Sequence, residues 1–131
     1  MRPYYELSIL EHLYLEDSYV LGIEADKKSA IFTIEFVLTE KHADYKSPIK
    51  GQKYCYKKGK LKFESCEEVN WSKVNHVRNL DKNLEIDMGN IDVFTFDENK
   101  YFLSGDWGEV EIVSEKVLVD FCVEVEEKGS E

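Results

Sequence analysis

Two glycines bracket an acid and an indole at Gly105-Asp106-Trp107-Gly108-Glu109, the stretch of this chain best suited to chemistry. In sequence that otherwise alternates like a β-strand, paired glycines permit a tight turn or a bulge, and a bulge re-aims side chains out of a sheet. Asp106, Trp107 and Glu109 could then meet a small ligand or a divalent cation, with Asp17 and Asp87 as further carboxylates nearby. Residue types favour a second arrangement, in which Asp106 bonds its own turn backbone and Trp107 plugs the end of the core. Asp87, Asp92, Asp106, Glu109 and Glu111 lie close in sequence, but a chain with 27 acids produces such clusters by chance. Asp87-Met88-Gly89-Asn90-Ile91-Asp92 lacks the order of a calcium loop, and Thr95 stands where its bidentate Glu belongs. No metal and no cofactor is expected.

Other reactive side chains are scattered. His12, His42 and His76 form neither an HxH nor an HExxH arrangement. Cys55, Cys66 and Cys122 are an odd number without a CxxC pair, which excludes a disulfide framework and points to free thiols in a reducing compartment. Ser18 has no G-x-S-x-G surroundings, so an acylating serine is not expected. Neither a P-loop nor a G-x-G-x-x-G pattern is present. The reading leans away from an enzyme.

The elements that must position these residues are strands. Phe32, Ile34, Phe36 and Leu38 face one way in Ala30–Leu38, while Thr33 and Glu35 face the other. Tyr19, Leu21, Ile23 and Ala25 alternate before it, and Asp26-Lys27-Lys28-Ser29 reads as the hairpin connection. Lys58-Gly59 reads as a tight turn between strands at 53–56 and 60–65. Leu84, Ile86 and Met88 alternate, as do residues 91–96 and 101–104 around the turn Asp97-Glu98-Asn99-Lys100. Strands at 109–113 and 116–125 are split at Ser114-Glu115, the second alternating Val117, Val119, Phe121, Val123 and Val125 against polar residues. Residues 3–13 suit either a short helix, with Tyr5, Ile9 and Leu13 on one face, or a strand. Residues 39–52 read as a long loop, a common carrier of function, and 69–81 as a loop with a short strand around Trp71. The expected fold is a single mainly β domain: an antiparallel meander forming a barrel or a sandwich, with a short N-terminal helix possible. Its core should hold Leu21, Ile23, Phe32, Ile34, Phe36, Leu61, Phe63, Phe94, Phe96, Leu103, Ile112, Val117, Val119 and Phe121.

With 131 residues, 43% hydrophobic content and 17 aromatic side chains, the chain can bury a sizeable core. No apolar run approaches the roughly 20 residues that span a bilayer. The first residues lack the apolar segment of a signal peptide, so a cytoplasmic location is expected. The formal charge of −10 disfavours nucleic acid and anionic membranes as partners. That charge is uneven: residues 1–66 hold 11 basic and 10 acidic side chains, and 67–131 hold 6 and 17. Between 41 and 63 eight lysines stand against one acid, Asp44, interleaved with Tyr45, Tyr54 and Tyr56. Such interleaving can serve phosphate or single-strand binding, but it suits a solvated strand edge better.

Five segments together resemble a family of small uncharacterised bacterial proteins of the domain-of-unknown-function kind. They are Leu15-Glu16-Asp17-Ser18-Tyr19, His42-Ala43-Asp44-Tyr45, Tyr54-Cys55-Tyr56-Lys57, Gly89-Asn90-Ile91-Asp92 and Leu103-Ser104-Gly105-Asp106-Trp107-Gly108-Glu109. The resemblance covers about residues 13–123. It departs where His-Asp is expected and Glu16-Asp17 stands, which puts a catalytic role for that position in doubt. It implies a bacterial cytoplasmic domain and no activity. Small acidic bacterial proteins include immunity partners that neutralise a toxin through a charged surface, an analogy of size and charge. The function expected is therefore a non-enzymatic, immunity-like binding module whose acidic face meets a basic protein, with the ligand site at the 105–109 turn as the alternative.

Overall fold

The computed structural model describes residues 2–48, 54–74, 79–80 and 86–121. Their strands are β1 (Arg2–Pro3), β2 (Leu13–Ala25), β3 (Ala30–Leu38), β4 (Cys55–Val74), β5 (Asn79–Leu80), β6 (Ile86–Asp87), β7 (Ile91–Asp97), β8 (Lys100–Gly105) and β9 (Gly108–Phe121). Seven of them make one antiparallel sheet in the order β1-β7-β8-β9-β4-β3-β2, and β5 pairs with β6. The protein is mainly β, as the alternation predicts.

The sheet curls over a single apolar face without closing into a barrel. The Phe63 ring on β4 meets Phe94 on β7 at 6.2 Å, although β9 and β8 lie between those strands in the sheet. Among the described residues no ladder joins β2 to β7. Two backbone bonds cross the seam instead, Val20 N–H to Gly89 O at 2.8 Å and Met88 N–H to Val20 O at 2.9 Å. The rest of the seam is filled by two 3₁₀ turns, Tyr4–Glu6 and Ser8–Leu10. These replace the helix considered for 3–13, and they bury Tyr4 and Leu10 while Tyr5 and Ile9 stay exposed. The Tyr4 hydroxyl accepts Leu15 N–H at 3.1 Å and donates to Glu16 Oε1 at 2.6 Å. Burial, then the bond to Glu16, raises its pKa.

Irregularities in β2 decide which residues face inward. Against β3, the register jumps between Tyr14 and Tyr19 and again between Val20 and Gly22. The buried set is accordingly Leu13 and Leu15, then Ser18 and Val20, with a change of parity at each bulge. Leu21 therefore falls outside the core that strict alternation predicts for it. Ser18 closes the first bulge. Its hydroxyl donates to Tyr14 O at 2.8 Å and accepts Val37 N–H at 2.9 Å, replacing ladder bonds that the extra residues displace. Ser114 does the same on β9, opposite the bulge at Cys66 on β4, donating to Glu64 O at 2.7 Å.

Three expected breaks are absent, at 58–59, at 69–74 and at 114–115. β4 runs for 20 residues through Lys58-Gly59 and Trp71, and β9 runs through Ser114-Glu115. Gly59 is buried mid-strand because β9 passes close: a Cβ there would stand 3.0 Å from the Phe121 ring and 3.1 Å from Asp120 O. The 26–29 turn is as expected, with Asp26 accepting Lys28 and Ser29 N–H at 2.8 and 2.9 Å. The 97–100 turn is also present, with Glu98 at φ 55°. Of the expected core, Phe32, Ile34, Phe36, Leu61, Phe63, Phe94, Phe96, Leu103 and Ile112 are buried, and Ile23, Val117, Val119 and Phe121 pack against them half-buried. Leu84, Val123 and Val125 lie outside the described residues.

Replacing Ser18 by Ala orphans the buried Val37 N–H at the β2 bulge and removes the donor to the part-buried Tyr14 carbonyl. An orphaned buried group costs about 1–3 kcal/mol, so Ser18→Ala should lower the urea midpoint more than an Ala at exposed Ser47. Equal midpoints would show that the bulge does not depend on the hydroxyl.

Candidate functional site

Asp106 and Trp107 form the two-residue connection between β8 and β9, with Gly105 opposite Gly108. The indole folds back over Gly105, where a Cβ would collide with Asn90 O and stand 2.5 Å from Trp107 Nε1. Trp107 is 1% exposed. It meets Phe32 edge-on at 5.3 Å and Trp71 at 6.1 Å, and its Nε1–H bonds Asn90 O at 3.1 Å. Asn90 in turn donates from Nδ2 to Ser18 O at 2.6 Å. Three of the segments singled out in sequence thus meet in one hydrogen-bonded chain, and its evident work is to tie hairpin, seam and bulge together. Of the two arrangements predicted for Trp107, the core plug is the one present.

The candidate carboxylates are distributed. Asp106 is exposed, with its carboxylate standing over Gly89. Glu109 accepts Ser72 Oγ–H at 3.2 Å near the end of β4, whereas Asp17 accepts the hydroxyl of Tyr54, just before the start of β4, at 2.7 Å. Glu109 and Asp17 are therefore anchored at opposite ends of a long strand. The Asp87 side chain, His76 and Cys122 lie outside the described residues. Among the described residues, no group of three or more His, Cys, Asp or Glu is placed to hold a metal ion. Cys66 is buried, and burial pushes its thiol pKa up.

A concave site does exist elsewhere, where the long loop meets the sheet. The loop is shaped by His42 N–H to Thr39 O and Tyr45 N–H to His42 O, each 3.0 Å, and by Thr39 N–H to His12 O at 3.1 Å. Lys46 N–H returns it to Cys55 Sγ at 3.4 Å. Between loop and sheet lies a cleft of about 280 Å³, walled by Tyr14, Tyr45, Tyr54, Glu40 and Cys55 with residues 37–39 at its base. Tyr54 meets Tyr56 edge-on at 6.1 Å, and Tyr56 tilts against Tyr19 at 6.1 Å. Burial, with Tyr19 beside it, pushes the Tyr56 phenol up to about 12. The hydrogen bond to Asp17 raises Tyr54 as well. Loop length and the Tyr-rich stretch signalled this region, but not which side chains would share a wall. Lys50, Lys53 and Gly51 of that stretch lie outside the described residues.

Comparison with protein-family models, curated proteins and solved structures returned no match.

Two outcomes check this geometry. Gly105→Ala forces the Trp107 ring off its seat, so it should destabilise by about 1–3 kcal/mol and shift Trp fluorescence to the red; an unchanged emission spectrum contradicts the packing. Tyr56 ionises later when folded than when unfolded, so its contribution to stability is complete below the ordinary tyrosine range and is lost as pH rises towards about 12. Phenolate absorbance titration of Tyr56→Phe should lack one late-titrating group.

Proposed function

We propose that this protein is a non-enzymatic interaction module whose acidic face meets a basic protein. The observation that carries this reading is the segregation of charge along β4. Lys58, Lys60 and Lys62 occupy its first half, where Lys58 stands opposite Glu35 and Lys60 opposite Asp120, and where Lys62 pairs with Asp120 at 3.2 Å. Positive charge is thus compensated locally. In the second half Glu67 and Glu68 are exposed, and Asn70 and Lys73 stand opposite Glu111 and Glu109 on β9. Val110 and Ile112 point into the core, so Glu109 and Glu111 project outward together. Among the described residues neither glutamate has an ion pair, and Lys73 is the one cation in their register. Acids that outnumber the cations beside them on a rigid strand raise the approach rate and specificity of a cationic partner.

The family resemblance suggests a bacterial cytoplasm as the setting, and size and charge suggest an immunity-like role for such a face by analogy. The inward indole leaves the 105–109 turn no aromatic surface to offer a ligand, so the alternative site there is not adopted.

Charge reversal tests the proposal. Affinity capture from a bacterial lysate at low ionic strength should retain a net-positive protein on the wild type and lose it on Glu109→Lys/Glu111→Lys. With that partner purified, the variant's association rate should fall by about tenfold or more at low salt. Retention that is indifferent to both reversal and salt would end this reading.

A further inference from the structure

We propose that the cleft between β2, β3 and the 39–46 loop binds an alkylammonium or guanidinium head group. This inference stands apart from the acidic face, which lies towards the other end of β4. Three phenol rings, Tyr14, Tyr45 and Tyr54, wall the cleft, and aromatic faces attract cations through their quadrupole. The Tyr54 hydroxyl donates its proton to Asp17 Oδ2 at 2.7 Å. That bond fixes the ring and makes it more electron-rich, which strengthens its attraction for a cation. The edge-on contact with Tyr56, at 89° between ring planes, holds the ring from a second direction.

Two carboxylates complete the electrostatics: Glu40 in the wall and Asp17 behind Tyr54. The lysines on neighbouring β4 are engaged elsewhere. Lys57 lies 3.7 Å from Asp44 and 5.5 Å above the Phe121 ring, and Lys58 stands opposite Glu35. Among the described residues that line the cleft, Glu40 is the one charged side chain, and Lys41 and Lys46 of the same loop are exposed. A cation would meet π faces and two acids. The volume of about 280 Å³ takes a head group with its first methylenes and lies at the low end for small-molecule sites.

The test is titration of the full chain with choline, with a lysine-containing tripeptide, and with the uncharged choline isostere that carries tert-butyl in place of trimethylammonium. NMR signals of the tyrosine rings are the readout. Choline or the peptide should move the Tyr14, Tyr45 and Tyr54 signals, and the isostere should bind about fivefold or more weakly. A response to choline alone assigns a free amine, and a response to the peptide alone assigns the side chain of a protein partner. Tyr54→Phe breaks the bond to Asp17 and should weaken the cation by about three- to tenfold while leaving the isostere unchanged. Tyr14→Ala, at a residue 42% exposed and outside the core, should weaken the same probes and keeps the test informative if Tyr54→Phe loosens the fold. Equal binding of isostere and cation, or no movement of the rings with either cationic probe, overturns the proposal.

Discussion

The hydroxyl of Ser18 is the constraint on which the rest of the sheet depends. A strand with extra residues must leave some of its neighbour's backbone groups unpaired, and buried unpaired groups are costly. Ser18 resolves this at the β2 bulge by bonding Tyr14 O and Val37 N–H at once. Because the bulge holds, Leu13 and Leu15 can face inward together with Val20. Because Val20 faces inward at that height, its backbone can bond Met88 and Gly89 across the seam. Ser18 O then receives Asn90, and Asn90 O receives the indole that closes the hairpin end.

Much of this fold is legible in the sequence, and the failures are instructive. β3 matches its expected bounds because it alternates from Ala30 to Phe36 and every register step against β4 is regular. β2 departs because a bulge changes parity without leaving a residue type that announces it; a buried serine among leucines is the sole trace. Lys58-Gly59 has the composition of a turn, but this glycine serves a close approach by β9, which depends on a strand some sixty positions away. Ser114 has the composition of a break and is instead the polar anchor of a continuous strand.

The candidate site was less legible than the fold. Gly105-Asp106-Trp107-Gly108 advertises itself through two glycines and an indole, yet Gly105 is there to admit the ring into the core and Gly108, at φ 140°, to let the β4 backbone pass at Lys73. The cleft is formed by residues from three places, Tyr14, Glu40 with Tyr45, and Tyr54 with Cys55, and although two of these fall in segments that carry the resemblance, none has spacing that announces a shared wall. Only the register of β2, β3 and β4 sets Tyr14, Val37 and Tyr56 in one row. Charge followed the same logic: the acidic half of the sequence was visible, but that Glu109 stands opposite Lys73 and Glu111 opposite Asn70 depended on which strands came to lie side by side.

The manner in which the seam is filled also sets an order of events. Arg2 and Pro3 pair with Phe96 and Thr95, and Tyr4 caps Leu15 and Glu16. Pairing ends so distant in sequence carries a loop-closure cost that hairpins such as β7–β8 do not. The hairpins should therefore assemble early, and the first ten residues should dock last. What docks last with few bonds also opens first. The amide of Leu15, bonded to the Tyr4 hydroxyl, should then exchange through local opening of this latch while the Phe32–Phe63 core stays shut, so the molecule breathes along one line.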